Sequence, residues 1–284
     1  MEKKDVQKYL EDHYNELTES QKILGKYILD HYGEVAFMSA LQIGEKLGLS
    51  DATVIRFAKT LGFSGFAEFK NSIGEEIRKR NAPDMKLLKS LKNFNHRDEA
   101  ITNICKTDIK NLEEYLLNIE SSKLDKVVEK VYESETIYFL GLGSSLVVAE
   151  FLSFHIRRMG FKINLISEGG IGLFEKLTPM TSKDILIVAT FPRYSRDTMN
   201  AILFAKKKGV YVITISDSEL SDVASESDIV LATQTQIPSF FNSYIVPMEL
   251  CNIILISILE KNKERIYKNL KNSIEDSEEF NLYI

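Results

Sequence analysis

A chain of 284 residues with 44% hydrophobic and 27% charged residues has the composition of a globular protein, and its length suits two domains better than one core. Its two cysteines, Cys105 and Cys251, stand far apart, which excludes a disulfide framework and a zinc-ligand spacing, so no metal site is expected. The net charge is −5, and residues 1–80 hold 12 basic against 13 acidic side chains, so any nucleic-acid interface depends on local arrangement rather than bulk charge.

Signals for targeting or membrane insertion are missing from the sequence pattern. The chain opens on polar residues, and the longest apolar run near its C-terminus, Ile253 to Leu259, is far shorter than a membrane span. We therefore expect a cytoplasmic protein without a membrane partner.

Residues 1–80 predict a bundle of short helices, and the most informative stretch runs from Ser39 to Phe63. Gly48 is suited to end one helix with left-handed backbone, and Ser50 is suited to cap the next. A helix, a glycine turn and a second helix with one apolar face are typical of a helix-turn-helix. The apolar face consists of Val54, Phe57, Ala58 and Leu61.

The opposite face of the second helix is polar and cationic. Short polar side chains followed by cations suit a helix that enters the major groove of DNA, where Arg56 can pair with a guanine edge. The hydroxyls and Lys59 can equally contact phosphates, and a small bundle with a solvated polar face is the alternative. The predicted DNA-binding residues are Ser50, Asp51, Thr53, Arg56 and Lys59.

Residues 81–97 contain Pro83 and few apolar repeats, which predicts a linker. Residues 98–133 predict helices again, because apolar side chains recur at helical spacing. These side chains are Ile101, Ile104, Ile109, Leu112 and Leu116. The predicted organisation is a DNA-binding domain at 1–80, a linker at 81–97, and a second domain with leading helices and a C-terminal helix at 98–284.

From residue 136 the pattern changes to short, β-branched apolar runs separated by stretches long enough for a helix. Continuous apolar strands joined by helices predict a doubly wound, five-stranded parallel α/β fold. A last long helix is expected from about Tyr244 to Lys261, with an acidic, frayed tail beyond it. The predicted strands are Thr136–Leu140, Lys162–Ile166, Asp184–Thr190, Val210–Ile215 and Asp228–Ala232.

The first predicted strand ends in Gly141-Leu-Gly-Ser-Ser, a turn whose main-chain N–H groups can face an anion. It lacks the third glycine and the acidic residue of a dinucleotide site, and the Gly-Lys-Ser/Thr of a Walker motif. No nucleotide cofactor is therefore expected. Gly143, Ser144 and Ser145 are suited instead to a small phosphate.

Hydroxyls and arginines gather after the third predicted strand, in Phe191-Pro-Arg-Tyr-Ser-Arg-Asp-Thr. Ligands of open α/β sheets bind at the carboxyl ends of strands, and arginine pairs with phosphate bidentately. We therefore predict that Arg193, Ser195, Arg196 and Thr198 bind phosphate. The alternative is that both arginines face solvent or pair with Asp197 or a neighbouring subunit.

A third loop, Ser239 to Ser243, precedes the last long helix. It can cover the same pocket with Asn242 and Ser243, and an ordinary loop is the alternative. We include Ser243 among the predicted phosphosugar-binding residues.

Together these motifs resemble a known family. The run from Leu17 to about Arg80, with Ser50-x-x-Thr53-x-x-Arg56-Phe57 and Leu61-Gly62-Phe63, resembles the RpiR family of bacterial regulators. Residues from roughly 125 to 260 resemble a SIS (sugar isomerase) domain, the phosphosugar-binding module which that family carries. The resemblance covers nearly the whole chain in the expected order.

The resemblance implies a DNA-binding head, a SIS dimer or tetramer, and control of a sugar catabolic operon by its phosphosugar. It also implies phosphate contacts from a serine-rich loop, matched here by Ser144 and Ser145, and from a Ser-Gly-x-Thr loop, matched by Ser195 and Thr198. The sequence departs at Arg196, where the family's enzymes have glycine, and Phe-Pro-Arg-Tyr replaces a simpler segment before it.

Three functions follow as hypotheses. The leading one is a regulator, not an enzyme, that binds a double-stranded DNA operator, senses a phosphorylated sugar and forms a homodimer or homotetramer. The second is a SIS-type phosphosugar isomerase with a helical extension, whose candidate acid–base groups are His155, Glu168 and Glu249. The third is a phosphosugar sensor that acts through a protein partner.

Overall fold

The computed structural model describes residues 6, 10, 17–36, 38–80 and 97–279. The chain divides into two compact units, Met1–Lys89 and Ser90–Ile284. The segment predicted as a linker lies outside the described residues except for Arg97, which begins a helix. The bounds of the predicted domains therefore stay a prediction.

The first unit is helical, as predicted, and its core is the face that the sequence pattern indicated. Gly48 ends the third helix at φ +67°, and Ser50 caps the fourth by accepting the N–H of Thr53 at 3.2 Å. The predicted stripe of that fourth helix is buried, as are Leu24 and Ile28 of the first helix, and these two helices contact each other. Burial of this kind supplies most of the stability of helices this short. The helices are α1 Glu19–Asp30, α2 Tyr32–Val35, α3 Ala40–Leu47, α4 Asp51–Thr60 and α5 Phe66–Arg80.

The second unit begins with two helices and continues as alternating strands and helices. The leading helices are α6 Arg97–Asn118 and α7 Ser121–Glu133. The strands are β1 Ile137–Gly141, β2 Ile163–Ile166, β3 Ile185–Ala189, β4 Tyr211–Ser216 and β5 Ile229–Ala232. The remaining helices are α8 Leu146–Arg158, α9 Gly170–Leu177, α10 Arg196–Lys207, α11 Ile245–Lys261 and α12 Lys263–Glu279. Among the helices with described residues, none is both long and apolar enough to cross a membrane.

The five strands form one parallel sheet in the order β2-β1-β3-β4-β5, which confirms the predicted doubly wound fold. Ile137 in β1 lies opposite Ile163 in β2 and Ile185 in β3. Helices α6, α7, α8 and α11 pack on one face of the sheet, and α9 and α10 pack on the other. From β1 the chain passes first to one side and then to the other, so the order reverses between β1 and β3.

The prediction of a frayed tail after the last long helix was wrong. Helix α12 continues the fold, because Ile266 is fully buried and the side-chain amide of Asn269 donates to the carbonyl of Met159 at 2.8 Å. This bond satisfies a carbonyl at the end of α8, a group that a helix leaves without an internal partner. Two anchoring residues thus order a segment whose composition alone is acidic and polar.

Alkaline pH is expected to destabilise the second unit through Cys251, which is fully buried in α11. Burial raises the pKa of the Cys251 thiol from 9.0 to about 12. Above pH 9 the unfolded chain therefore loses this proton while the folded chain keeps it, and the free energy of unfolding falls by about 1.4 kcal/mol per pH unit until the folded thiol titrates.

Urea unfolding followed by circular dichroism between pH 8 and 10 measures this fall. Cys251→Ala removes the titrating thiol, so its stability should decline less steeply with pH than that of the wild type. Equal slopes in the two proteins would show that the thiol does not contribute.

Candidate functional site

Helix α4 presents the predicted DNA-binding residues on the face opposite its buried stripe. Ser50, Asp51, Arg56 and Lys59 are exposed and Thr53 is half-buried. The hydroxyls of Ser50 and Thr53 lie 2.8 Å apart. Arg56 donates to the carbonyl of Ala52 at 3.3 Å and to the Thr53 hydroxyl at 3.4 Å, so its guanidinium contacts only its own helix in these two bonds. This polar, cationic face has the composition and exposure of a recognition helix.

In the second unit, the loops after β1 and β3 begin side by side, because β1 and β3 are adjacent parallel strands. Their carboxyl ends lie at the reversal of the strand order, where open α/β sheets bind ligands. Gly141 closes β1 tightly against α8: a Cβ there would meet the Cα of Leu146 at 2.8 Å. Gly143 and Ser144 are exposed beyond this turn, and Ser145 is buried.

The loop after β3 gathers two hydroxyls at the first turn of α10. The Ser195 oxygen caps the helix by accepting the N–H of Thr198 at 3.0 Å, and the two hydroxyl oxygens lie 2.9 Å apart. When Thr198 donates in that pair, the Ser195 proton is free for an outside acceptor. The positive end of the α10 dipole adds to the attraction for an anion here.

Both arginines of this loop, Arg193 and Arg196, are exposed. Within the described part of the chain neither guanidinium forms an ion pair or a hydrogen bond, which leaves both available to a ligand or to solvent. Asp197 does not pair with them. Its carboxylate instead accepts the N–H of Gly170 at the start of α9, at 2.9 Å.

The loop before α11 contacts both of the other loops. The side-chain amide of Asn242 donates to the carbonyl of Pro192 at 3.0 Å. The Tyr244 hydroxyl lies 2.8 Å from the Ser144 hydroxyl, and its ring meets Phe191 edge-on at 5.2 Å. The three predicted loops therefore converge at one end of the sheet. Ser243 itself is buried, with its oxygen 3.4 Å from the N–H of Ile245.

Tyr194 anchors the loop after β3 to the end of the neighbouring strand β4. Its hydroxyl donates to the Asp217 carboxylate, which follows β4, at 2.5 Å. Burial, and then the adjacent Asp217 charge, raise the pKa of Tyr194 above its ordinary value, so the phenol stays a proton donor. Because Tyr194 stands between Arg193 and Ser195, this bond fixes the backbone that carries both.

Comparison with known proteins decides the family. A family model described as "Helix-turn-helix domain, rpiR family" matches residues 4–80, and one described as "SIS domain" matches residues 130–257. The chain belongs to the RpiR family of transcriptional regulators. Together the two matches cover most of the chain, in the order in which this family joins a helix-turn-helix head to a SIS domain.

Relatives of this RpiR-family chain include two uncharacterized helix-turn-helix transcriptional regulators. The one from Haemophilus influenzae is 28% identical over 221 residues, 77% of this chain and 76% of the relative. The one from Clostridium perfringens is 26% identical over 274 residues, 92% of this chain and 95% of the relative. Both relatives are named as transcriptional regulators.

Two solved structures share the fold. The sugar isomerase domain of an RpiR transcription factor from Sphaerobacter thermophilus is 26% identical, with a TM-score of 0.59, and covers 61% of this chain and 97% of that one. The Vibrio vulnificus NanR protein complexed with ManNAc-6P is 18% identical, with a TM-score of 0.64, and covers 97% of this chain and 99% of that one. The NanR likeness concerns the fold alone.

Two tyrosines in the RpiR-family SIS domain were missed by the sequence analysis. Tyr244 lies 100 positions from Ser144, the residue its hydroxyl contacts, and Tyr194 lies 23 positions from Asp217. One signal was present for Tyr194, because a tyrosine between two arginines in a loop needs a reason to be buried. For Tyr244 the sequence held no local signal, since an aromatic residue before an apolar helix is typical of core packing.

We predict that Tyr194→Phe lowers the stability of the second unit by about 1–3 kcal/mol, the cost of removing one donor from a partly buried carboxylate. Urea or thermal unfolding measures the loss. Tyr267→Phe is the matched control, because Tyr267 on α12 is 70% exposed and its change should leave stability within about 0.5 kcal/mol. Equal stability of the two variants would show that the Asp217 contact does not hold the loop.

Proposed function

We propose that this regulator controls a sugar catabolic operon, binding a double-stranded DNA operator through α4 and a phosphorylated sugar at the loops after β1 and β3. One observation carries the proposal. The loop with Ser144 and the loop with Ser195 both start at the reversal between β1 and β3, and Tyr244 contacts residues of both loops. Open α/β sheets bind ligands at this place.

The chemistry of the loops supports phosphate as the recognised group. Hydroxyls, main-chain N–H groups at two helix starts and two exposed arginines are all donors suited to a phosphate dianion. We propose Gly143, Ser144, Ser145, Arg193, Ser195, Arg196, Thr198 and Ser243 as the phosphosugar-binding residues. We propose that the sugar ring is recognised by other groups next to these residues.

The DNA half of the proposal rests on the exposed face of α4. Ser50, Asp51, Thr53, Arg56 and Lys59 are proposed to contact the operator, with Arg56 as the base-reading residue and the hydroxyls at phosphates. The head at 1–80, a linker at 81–97 and the sensor at 98–284 are the proposed domains. An operator-binding protein of this kind acts in the cytoplasm.

Sensing rather than turnover is proposed for the SIS domain, because His155 lies away from the loop after β1 and the two candidate glutamates are engaged by neighbouring side chains. His155 lies nine residues into α8, roughly 14 Å along the helix axis from the loop after β1, and sits between the rings of Phe151 and Phe154. Glu168 pairs with Lys176 at 3.0 Å. Glu249 accepts the side-chain amide of Asn252 at 3.1 Å.

We propose a homodimer or homotetramer because apolar side chains remain uncovered on neighbouring helices. Val147 and Phe154 on α8 and Ile245 and Ile256 on α11 are each about half exposed, and the two helices pack side by side. Helix α11 is mostly apolar, and its exposed face carries Ile245 and Ile256 beside the polar Glu249 and Asn252. Light scattering at micromolar concentration should give a mass of two or four chains, and a stable monomer would count against this assembly.

A ligand screen on the intact chain tests the function. ManNAc-6P, glucose 6-phosphate, fructose 6-phosphate and ribose 5-phosphate are each compared with the unphosphorylated sugar by thermal shift. A ligand at 100 times its dissociation constant adds about 2.7 kcal/mol of stability, and only phosphorylated sugars should do so. Turnover of a sugar phosphate would favour the isomerase instead.

Titration of a fluorescent duplex from the promoter of its own operon, at stated salt, tests the DNA half. Specific binding should exceed non-specific binding by on the order of a thousandfold and weaken as salt rises. Sugar binding without duplex binding would favour a sensor that acts through a protein partner.

A further inference from the structure

The segment 233–244, between β5 and α11, contacts the anion site at one of its ends. The Tyr244 hydroxyl is 2.8 Å from that of Ser144, and the Asn242 amide holds the Pro192 carbonyl at 3.0 Å. Tyr244 is also the residue that immediately precedes α11. A change in either anion loop therefore reaches this segment through direct contacts.

At its other end the same segment contacts α6. The side-chain amide of Asn111 donates to the carbonyl of Gln236 at 3.0 Å. Asn111 and Asp108, one helical turn apart on the inner face of α6, are each only 8% exposed. Segment 233–244 thus lies between the anion site and the first helix that follows the predicted linker.

The contact between α6 and this segment is polar, and some of the buried oxygens that the structure describes near it lack a hydrogen-bond donor. Within the described residues, three buried side-chain oxygens have no hydrogen-bond partner: one of the Asp108 carboxylate on α6, and those of Gln234 and Thr235 in the segment. Buried oxygens without donors are costly, so this contact contributes less stability than the interlocking apolar packing of the sheet. The oxygens without partners lower the cost of a second arrangement at this contact.

An anion at Ser144 would change this segment through the direction of one hydrogen bond. In the pair formed by Ser144 and Tyr244 either oxygen can be the donor. If Ser144 gives its proton to a phosphate, Tyr244 must donate to Ser144, and the bonds then form a chain that runs from the phenol through the serine to the anion. Bonds in such a chain polarise and strengthen one another.

We propose that Tyr244 is a positioning residue that holds the Ser144 hydroxyl, and that segment 233–244 transmits anion binding from that hydroxyl to α6. The proposal rests on the proposed function, since it assumes that an anion binds at Ser144. It assigns a route by which occupancy of the sensor reaches the helix next to the predicted linker. The route needs the phenolic hydroxyl of Tyr244 and the amide of Asn111.

Hydrogen exchange of the full chain without any anion tests the link directly. Tyr244→Phe keeps the ring against Phe191 and removes one hydroxyl, so exchange should rise about fivefold in residues 236–245 and 104–112, with the sheet unchanged. Tyr267→Phe, at an exposed position on α12, is the matched control and should exchange as the wild type does. Unchanged exchange in Tyr244→Phe overturns the proposal.

Addition of inorganic phosphate, and of ManNAc-6P, tests transmission. In the wild type both probes should slow exchange at 143–148 and 195–200 and also at 104–112. Tyr244→Phe and Asn111→Ala should keep the slowing at 195–200 and lose it at 104–112. Asn118→Ala, whose amide bonds within α6 to the Glu114 carbonyl, should behave as the wild type.

The failures of the two proposals are distinguishable. Slowing at both loops without slowing at 104–112 overturns transmission and leaves phosphate sensing intact. No slowing at either loop, with any phosphorylated sugar of the screen, overturns the proposed function. The positioning role of Tyr244 is then decided by the experiment without anion alone.

Discussion

Replacing Ser195 with aspartate is expected to weaken phosphosugar binding by on the order of a hundredfold or more while leaving the fold intact. Ser195 caps α10 by accepting the N–H of Thr198, and aspartate caps a helix about as well as serine does. The new carboxylate also places negative charge where phosphate is proposed to bind. Two like charges about 4 Å apart repel by about 4 kcal/mol at an effective dielectric constant of 20. Calorimetric titration measures the loss.

Ser195→Asn is the matched control, because asparagine also caps well but carries no charge. It loses the hydroxyl alone, and we expect about a tenfold loss of affinity, the effect of one hydrogen bond to a charged group. Thermal unfolding of both variants should match the wild type. An aspartate variant with wild-type stability and wild-type affinity would exclude the loop after β3 from the anion site.

The sheet could be predicted because the residue pattern within each strand is enough to indicate that strand. Strands β1 and β3 are continuous apolar runs that are buried throughout, and the observed strand β3, Ile185–Ala189, lies inside the run predicted for it. Helix α12 could not be predicted, because what orders it is tertiary: Asn269 reaches a carbonyl of α8 that lies 110 positions earlier in the chain. A composition that is acidic and polar gives no sign of such an anchor.

Helix α6 shows where periodicity predicts an element but not its environment. The apolar spacing indicated a helix correctly, yet Ile109 and Leu116 are exposed within one chain, while Asp108, Asn111 and Tyr115 face inward. Hydrophobic periodicity identifies the face that is buried in the final assembly, which need not be the face buried within one subunit. The exposure of Ile109 and Leu116 therefore agrees with the proposed oligomer, whereas Leu112 packs against the core within one chain.

The candidate site could be predicted in part, because some of its residues are recognisable from the local sequence. Hydroxyls and arginines that follow strands are visible in sequence, and the parallel order of β1 and β3 brings their loops together. Tyr244 was not predictable, since its role depends on the contact with Ser144 and not on its neighbours in the chain. Loop residues of this kind are recognised only once the topology places them.

Replacing Arg56 with alanine is expected to weaken operator binding by about tenfold to a hundredfold without loss of stability. Arg56 is exposed on α4, and its bonds to the Ala52 carbonyl and the Thr53 hydroxyl stay within that helix, so no core contact is lost. A guanidinium here pairs bidentately with guanine in the major groove. Fluorescence anisotropy with operator and scrambled duplexes measures the change.

A comparison of Lys59→Ala with Arg56→Ala distinguishes a residue that contacts phosphates from one that recognises bases. Lys59→Ala should weaken binding to operator and scrambled duplexes alike and lower the salt slope by about one unit, whereas Arg56→Ala should mainly reduce the ratio between the two duplexes. Lys26→Ala, at an exposed position on α1, is the control and should change neither. If Arg56→Ala weakened both duplexes equally, the residue would be a phosphate contact, and sequence reading would have to come from the short polar side chains at the start of α4.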